Sequence, residues 1–189
     1  MDNNRFKQQL DFILEIDKEK NIFRQTHLTG NIRQENDAEH AWHMAIMIYL
    51  LKEYANEDFD ISKAVLMALI HDIVEIDAGD SYAYDPKALS TQAEREEKAA
   101  KRLFGMLPED QGAYFKSLFE EYEAFETPEA KFVRAIDNLQ PLILNESNDG
   151  GDWLTHEVSL DSVMKRHNKT RSGSNFLFDY TKQIIDLNH

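Results

Sequence analysis

The chain has 189 residues, 42% of them hydrophobic, which is enough for one sizeable core and short for two domains. A formal net charge of −14 excludes nucleic acid as a partner, because Lys and Arg are scattered and the nearest cluster, Lys165-Arg166-His167 with Lys169 and Arg171, reads as a solvated helix face. The absence of cysteine excludes disulfides and thiolate metal sites, and no apolar stretch reaches transmembrane length, so a soluble, cytoplasmic protein without membrane contact is expected.

Phe6, Leu10, Ile13 and Leu14 recur at helical spacing and predict an amphipathic first helix over residues 5–19. Residues 23–36 have mixed polarity, include Gly30, and read as a loop carrying Arg24 and Arg33. A second helix is expected from Asp37 to about Asn56, with Ala41, Met44, Ala45, Ile48 and Leu51 facing inward. Asp60 or Ser62 is placed to cap a third. Its apolar run, Ala64 to Ile70, reads as buried on nearly every side and continues through His71-Asp72 to about Ile76. Gly79 to Ser90, with Pro86 inside it, reads as a loop. Thr91-Gln92-Ala93-Glu94 fits a capping box opening a fourth helix that ends near Gly105. Proline in a first helical turn, in Leu107-Pro108-Glu109 and Thr127-Pro128-Glu129, announces a fifth and a sixth. After a loop at Asn148-Asp149-Gly150-Gly151-Asp152, helical segments near 159–169 and 173–187 finish the chain. No run alternates with period two for long enough to suggest a sheet, so the fold class is all-α, with about seven to eight helices.

Four side chains sit where structure alone does not call for them. His71 and Asp72 follow the apolar run without a break in its pattern, His40 lies on the second helix, and Asp137 shares a core-facing stripe with Val133 and Leu144. An ionised Asp buried alone costs several kcal/mol or more, so such groups pair, shift their pKa or bind a metal. Two imidazoles and two carboxylates make a mixed N/O set suited to Mn, Fe, Co, Ni or Zn. Helical neighbours diverge by roughly 100°, so His71 and Asp72 reach one ion only if other helices close round it.

His40, His71-Asp72 and Asp137 resemble the signature of the HD-domain metal-dependent phosphohydrolases. Within them the chain is similar to the 5'-deoxynucleotidase branch, through Glu35-Asn36-Asp37-Ala38-Glu39-His40 and the run His71-Asp72-Ile73-Val74-Glu75-Ile76-Asp77-Ala78-Gly79-Asp80. The resemblance covers roughly residues 5–147. It implies a single HD-type domain over residues 1–189, with a metal core at about 37–147 and C-terminal helices, 148–189, packed on it. It also implies one divalent cation (Mn, Co, Fe, Ni, Zn or Mg), a small phosphoester substrate such as a nucleotide, and a homodimer. The expected reaction is hydrolysis of deoxynucleoside 5'-monophosphates by a metal-activated water. Alternatives are an HD-domain hydrolase of another small phosphoester and a non-catalytic helical module stabilised by its metal.

Glu75 lies one helical turn past His71 and is the candidate general acid/base, the role that the resemblance also assigns. Asp80 matches the position that contacts the sugar 3'-hydroxyl in the resembling enzymes. A phosphate dianion in an acidic protein calls for a local cation, and Arg24, Arg33 and Lys87 are the candidates. The tryptophan that usually follows the arginine in that branch is absent from Gln25-Thr26-His27-Leu28.

Overall fold

Helices α1 (Asn3–Ile16), α2 (Asp37–Leu51) and α3 (Ile61–Ile70) come first in a computed structural model that describes residues 3–79, 86–155 and 160–188. They are followed by α4 (Glu75–Ala78), α5 (Pro86–Phe104), α6 (Glu109–Ala124), α7 (Pro128–Ser147), α8 (Gly151–Thr155), α9 (Leu160–His167), α10 (Thr170–Gly173) and α11 (Asn175–Asn188). Helices α2, α3 and α7 pack on one another, α6 lies against α7, and α5 lies against α4 and α6. Met44, Ile48, Met67, Phe132, Val133 and Ile136 fill the space between the three central helices and are almost wholly withdrawn from solvent. Among the described residues no helix is long and apolar enough to cross a membrane.

The helix starts follow the chemistry of their first residues. Asn36 and Glu39 form a reciprocal capping box on α2, the Glu39 N–H donating to Asn36 Oδ1 at 3.0 Å and the Asn36 N–H to Glu39 Oε2 at 3.1 Å. Asp60 caps α3 by accepting from the Lys63 N–H at 3.1 Å. Thr127 caps α7, with Pro128 in its first turn as expected.

Several expectations are corrected. The all-α class holds apart from one antiparallel pair, β1 (Phe23–His27) and β2 (Gln34–Asn36), where a loop was expected. Gly30 (φ +78°) and Asn31 (φ +56°) turn the chain between them, and strands of five and three residues are too short to show an alternating pattern. Helix α5 begins at Pro86, not Thr91: the Thr-x-x-Glu tetrad lies inside a helix that a proline had already opened. Gly151 and Asp152, expected in a loop, open α8.

Helix α3 also departs from expectation by ending at Ile70, and its outer face is not buried, since Leu69 remains exposed. Beyond Ile70 the chain tightens into a turn with i→i+3 bonds, from the Ile73 N–H to Ile70 O at 3.3 Å and from the Glu75 N–H to Asp72 O at 2.9 Å. On α1 only Phe12 enters the core. Phe6, Leu10 and Ile13 stay exposed along an apolar groove that they share with Leu66, Leu69 and Ile73.

Candidate metal centre

The two histidines and two aspartates singled out by the sequence come together where α2, α3 and α7 meet. His40 lies one turn into α2 and is fully buried, the turn after α3 presents His71 and Asp72, and the middle of α7 supplies Asp137. Ligating atoms of His40, His71 and Asp72 all lie within 4.8 Å of one another. Oδ1 of Asp137 is 3.2 Å from His40 Nε2 and 4.0 Å from His71 Nε2. The tight turn after Ile70 lets a histidine and its immediate neighbour face one point.

Hydrogen bonding fixes which ring nitrogen each histidine presents. The Gln140 amide nitrogen donates to Glu35 Oε1 at 2.7 Å and meets His43 Nδ1 at 3.1 Å, so its carbonyl oxygen is the end that faces His40 Nδ1 at 2.8 Å. Nδ1 of His40 therefore carries hydrogen, and the neutral ring turns a bare Nε2 lone pair toward Asp137. His71 Nδ1 donates to the Ala68 carbonyl at 2.8 Å, which leaves its buried Nε2 3.1 Å from Asp72 Oδ1. The bare His40 lone pair aimed at a carboxylate oxygen repels it unless a cation lies between them, and a proton on His71 Nε2 holds a cation's place against Asp72 in the metal-free chain. A divalent metal fits this donor set, and the bonds from Nδ1 hold the rings in the orientation such an ion requires.

The electrostatics agree. Burial opposes charge on His71, but the Asp72 and Asp137 carboxylates outweigh it and raise its pKa to about 9. Burial, helped by the Arg24 guanidinium, lowers His40 to about 4. Burial works to raise Asp72 and Asp137, yet His71 beside the first, and His40, His71 and Arg134 around the second, hold both below the usual carboxylate range. Burial raises Glu35 to about 7, and burial with the nearby Asp72 and Asp37 charges raises Glu19 to about 8.

Glu75 is buried at the start of α4 and lines the same cavity as Asp72 and Asp137. Arg24, on β1, also lines it and donates to Asp72 Oδ2 at 2.7 Å and Asp37 Oδ1 at 3.2 Å. Arg33 does not reach the cavity. It faces outward and grips Glu39, the residue of the α2 capping box, with one N–H at 2.8 Å. Asp80 and the side chain of Lys87 lie outside the described residues.

Sequence reasoning missed other groups at the centre. Gln140, three residues past Asp137 on the same buried face, left a signal that could have been read: a second polar residue on the core stripe. Tyr122 donates its hydroxyl to Asp137 Oδ2 at 2.9 Å, and the Arg134 guanidinium stacks 3.8 Å over its ring. Trp153 on α8 lines the cavity together with Gln25 and Thr26, so an aromatic wall comes from far along the chain instead of from the residue after Arg24.

Residues 16–176 match the family model described as HD domain. The chain is 32% identical to the 5'-deoxynucleotidase HDDC2 of Bos taurus and 30% identical to that of Homo sapiens, each over 71% of this chain. It spans 64% and 65% of the lengths of these two relatives. A crystal structure of a predicted metal-dependent phosphohydrolase from Magnetospirillum magnetotacticum superposes with a TM-score of 0.93 at 48% identity, covering 98% of this chain and 93% of that one.

Proposed function

Because this chain belongs to the HD-domain family, we propose that it is a metal-dependent phosphohydrolase acting on the phosphomonoester of deoxynucleoside 5'-monophosphates. The observation that carries this reading is the convergence of His40 Nε2 and His71 Nε2 on the Asp72 and Asp137 carboxylates, at the wall of a cavity that His71, Asp72, Asp137 and Glu75 line. His40, His71, Asp72 and Asp137 are the proposed ligands of one divalent ion. When bound, that ion supplies acidified water and a Lewis acid for the phosphoryl oxygens.

The remaining chemistry falls to this chain's own residues. Glu75, buried beside the ligands, exchanges the proton that must leave the attacking water and reach the departing 5'-alkoxide. Arg24 balances the Asp37 and Asp72 carboxylates, and Tyr122 and Arg134 fix the outer oxygen of Asp137. Pro141, Leu142 and Trp153 give the cavity an apolar stretch suited to a nucleobase. Glu96 and Glu123 on the same lining disfavour substrates that bring further phosphates. Relatives named 5'-deoxynucleotidase support the choice of substrate class. Asp80 is the proposed contact for the sugar hydroxyl. The exposed apolar residues Phe6, Leu10 and Ile13 are the proposed contact face for a second copy of the chain, and sedimentation velocity tests it.

Phosphate release from ribo- and deoxynucleoside mono-, di- and triphosphates, with Mn or Co loaded, tests the assignment. Turnover concentrated on deoxynucleoside monophosphates is expected. Loaded protein that turns over no monophosphate overturns the reading in favour of a helical module that keeps its metal for structure.

A further inference from the structure

Among the described residues, three guanidinium groups line the cavity over the metal centre, those of Arg24, Arg134 and Arg166. Two of them are committed. Arg24 bridges Asp37 and Asp72, and Arg134 donates to Glu123 Oε1 at 2.9 Å and to Asp137 Oδ2 at 3.4 Å while stacking on Tyr122. Arg166, half-buried on α9, forms no hydrogen bond or ion pair among the described residues. Its neighbour Lys165 is exposed and does not line the cavity.

A half-buried guanidinium that no described residue engages is open to an anion. Its planar fork matches two oxygens of one phosphate. The carboxylates around it repel a phosphate dianion, so an incoming phosphate has Arg166 to turn to, the lining guanidinium that no described carboxylate holds. We propose that Arg166 is the phosphate clamp of the site, gripping non-bridging oxygens of the substrate phosphomonoester beside the His40–His71–Asp72 centre. The proposal rests on the phosphomonoesterase reading for its substrate but not for its anion. It assigns to the C-terminal part of the chain a direct role in binding.

Calorimetric titration of inorganic phosphate into the Mn-loaded chain tests it, with metal content measured on every variant. The wild-type chain binds phosphate. Arg166→Gln weakens that binding about tenfold to a hundredfold, as loss of a charge-assisted contact requires. Arg166→Lys, which keeps the charge and loses the fork, falls between them, and Lys165→Gln leaves binding unchanged. The KM for a deoxynucleoside monophosphate rises with the phosphate dissociation constant in Arg166→Gln, while kcat changes far less. Wild-type protein that does not take up phosphate, or an Arg166→Gln chain that binds it as tightly as wild type, overturns the clamp. Should Arg166→Gln fail to fold, an Arg166→Lys chain with undiminished phosphate affinity overturns it equally. Phosphate bound through Arg166 without turnover of any monophosphate sinks the hydrolase reading and leaves the anion site standing.

Discussion

Metal uptake at this centre competes with a proton, and the competition has a size. In the metal-free chain His71 carries a proton with a pKa of about 9, held there by Asp72 and Asp137 against the effect of burial. A metal ion needs that Nε2 bare, so below pH 9 each unit of pH costs metal binding about 1.36 kcal/mol. At pH 7 the cost is about 2.7 kcal/mol, or roughly a hundredfold in apparent affinity. The expected result is an apparent Mn dissociation constant that falls about tenfold per pH unit from pH 6.5 and levels off near pH 9. Titration calorimetry in buffers of different ionisation enthalpy, at pH 7, should count about one proton released per ion bound. An affinity that levels off at neutrality, with no proton release above it, would match an ordinary imidazole and refute the reasoning.

The sign for folding follows from the same shift. A His71 pKa raised above 6.5 stabilises the metal-free fold fully below 6.5, and that stabilisation is lost as pH rises through about 9. Glu35 and Glu19, raised from 4.5 to about 7 and about 8, lose their contributions in the same direction. His40, lowered to about 4, acts the other way, but only below 6.5. Chelated protein therefore melts at progressively lower temperature between pH 6.5 and 9.

Three substitutions extend these expectations. Glu75→Gln keeps the metal and lowers phosphate release by about a hundredfold or more, the scale of a lost general acid/base, so a Glu75→Gln chain of wild-type activity would remove Glu75 from the chemistry. Gln140→Leu frees the His40 ring from its acceptor and leaves Glu35 without its amide donor. Metal affinity should fall about tenfold to a hundredfold, as measured by competition with a chromophoric chelator, and an unchanged affinity would show that Gln140 does not orient His40. At Gly173, where α10 crosses α7, an added Cβ would come within 2.2 Å of the Lys131 carbonyl oxygen and 2.9 Å of Phe132 Cα. Gly173→Ala should cost about 1–3 kcal/mol in urea unfolding, and a wild-type midpoint would mean that the backbones there have room to part.

Elements with unambiguous end chemistry were legible in the sequence. Asp60, Pro108 and Thr127-Pro128 mark the starts of α3, α6 and α7 because one side chain or ring decides each. Thr91 misled because a Thr-x-x-Glu tetrad is as compatible with a helix interior as with its start, and Pro86 had already opened the helix. The four centre residues stood out because an imidazole or a carboxylate within an apolar period is costly without a partner, and the structure brings them together. Arg33, adjacent to the same motif, was read toward the substrate, but the capping-box Glu39 lies within its reach. Arg166 and Trp153 left no trace of their direction, because it depends on the path of the chain after Gly150-Gly151, which no periodicity records.

The crossing at Gly173 acts as a gauge block between two parts of the cavity's frame. One is α7, which carries Asp137. The other is the C-terminal segment, which presents Arg166 seven positions before the glycine. Two main chains that touch with no room for a methyl group leave little slack at that joint, so the span from metal to clamp is inherited from the backbone. A cleft measured out in this way discriminates among anions by reach, and widening it for a longer one would mean rebuilding a helix crossing.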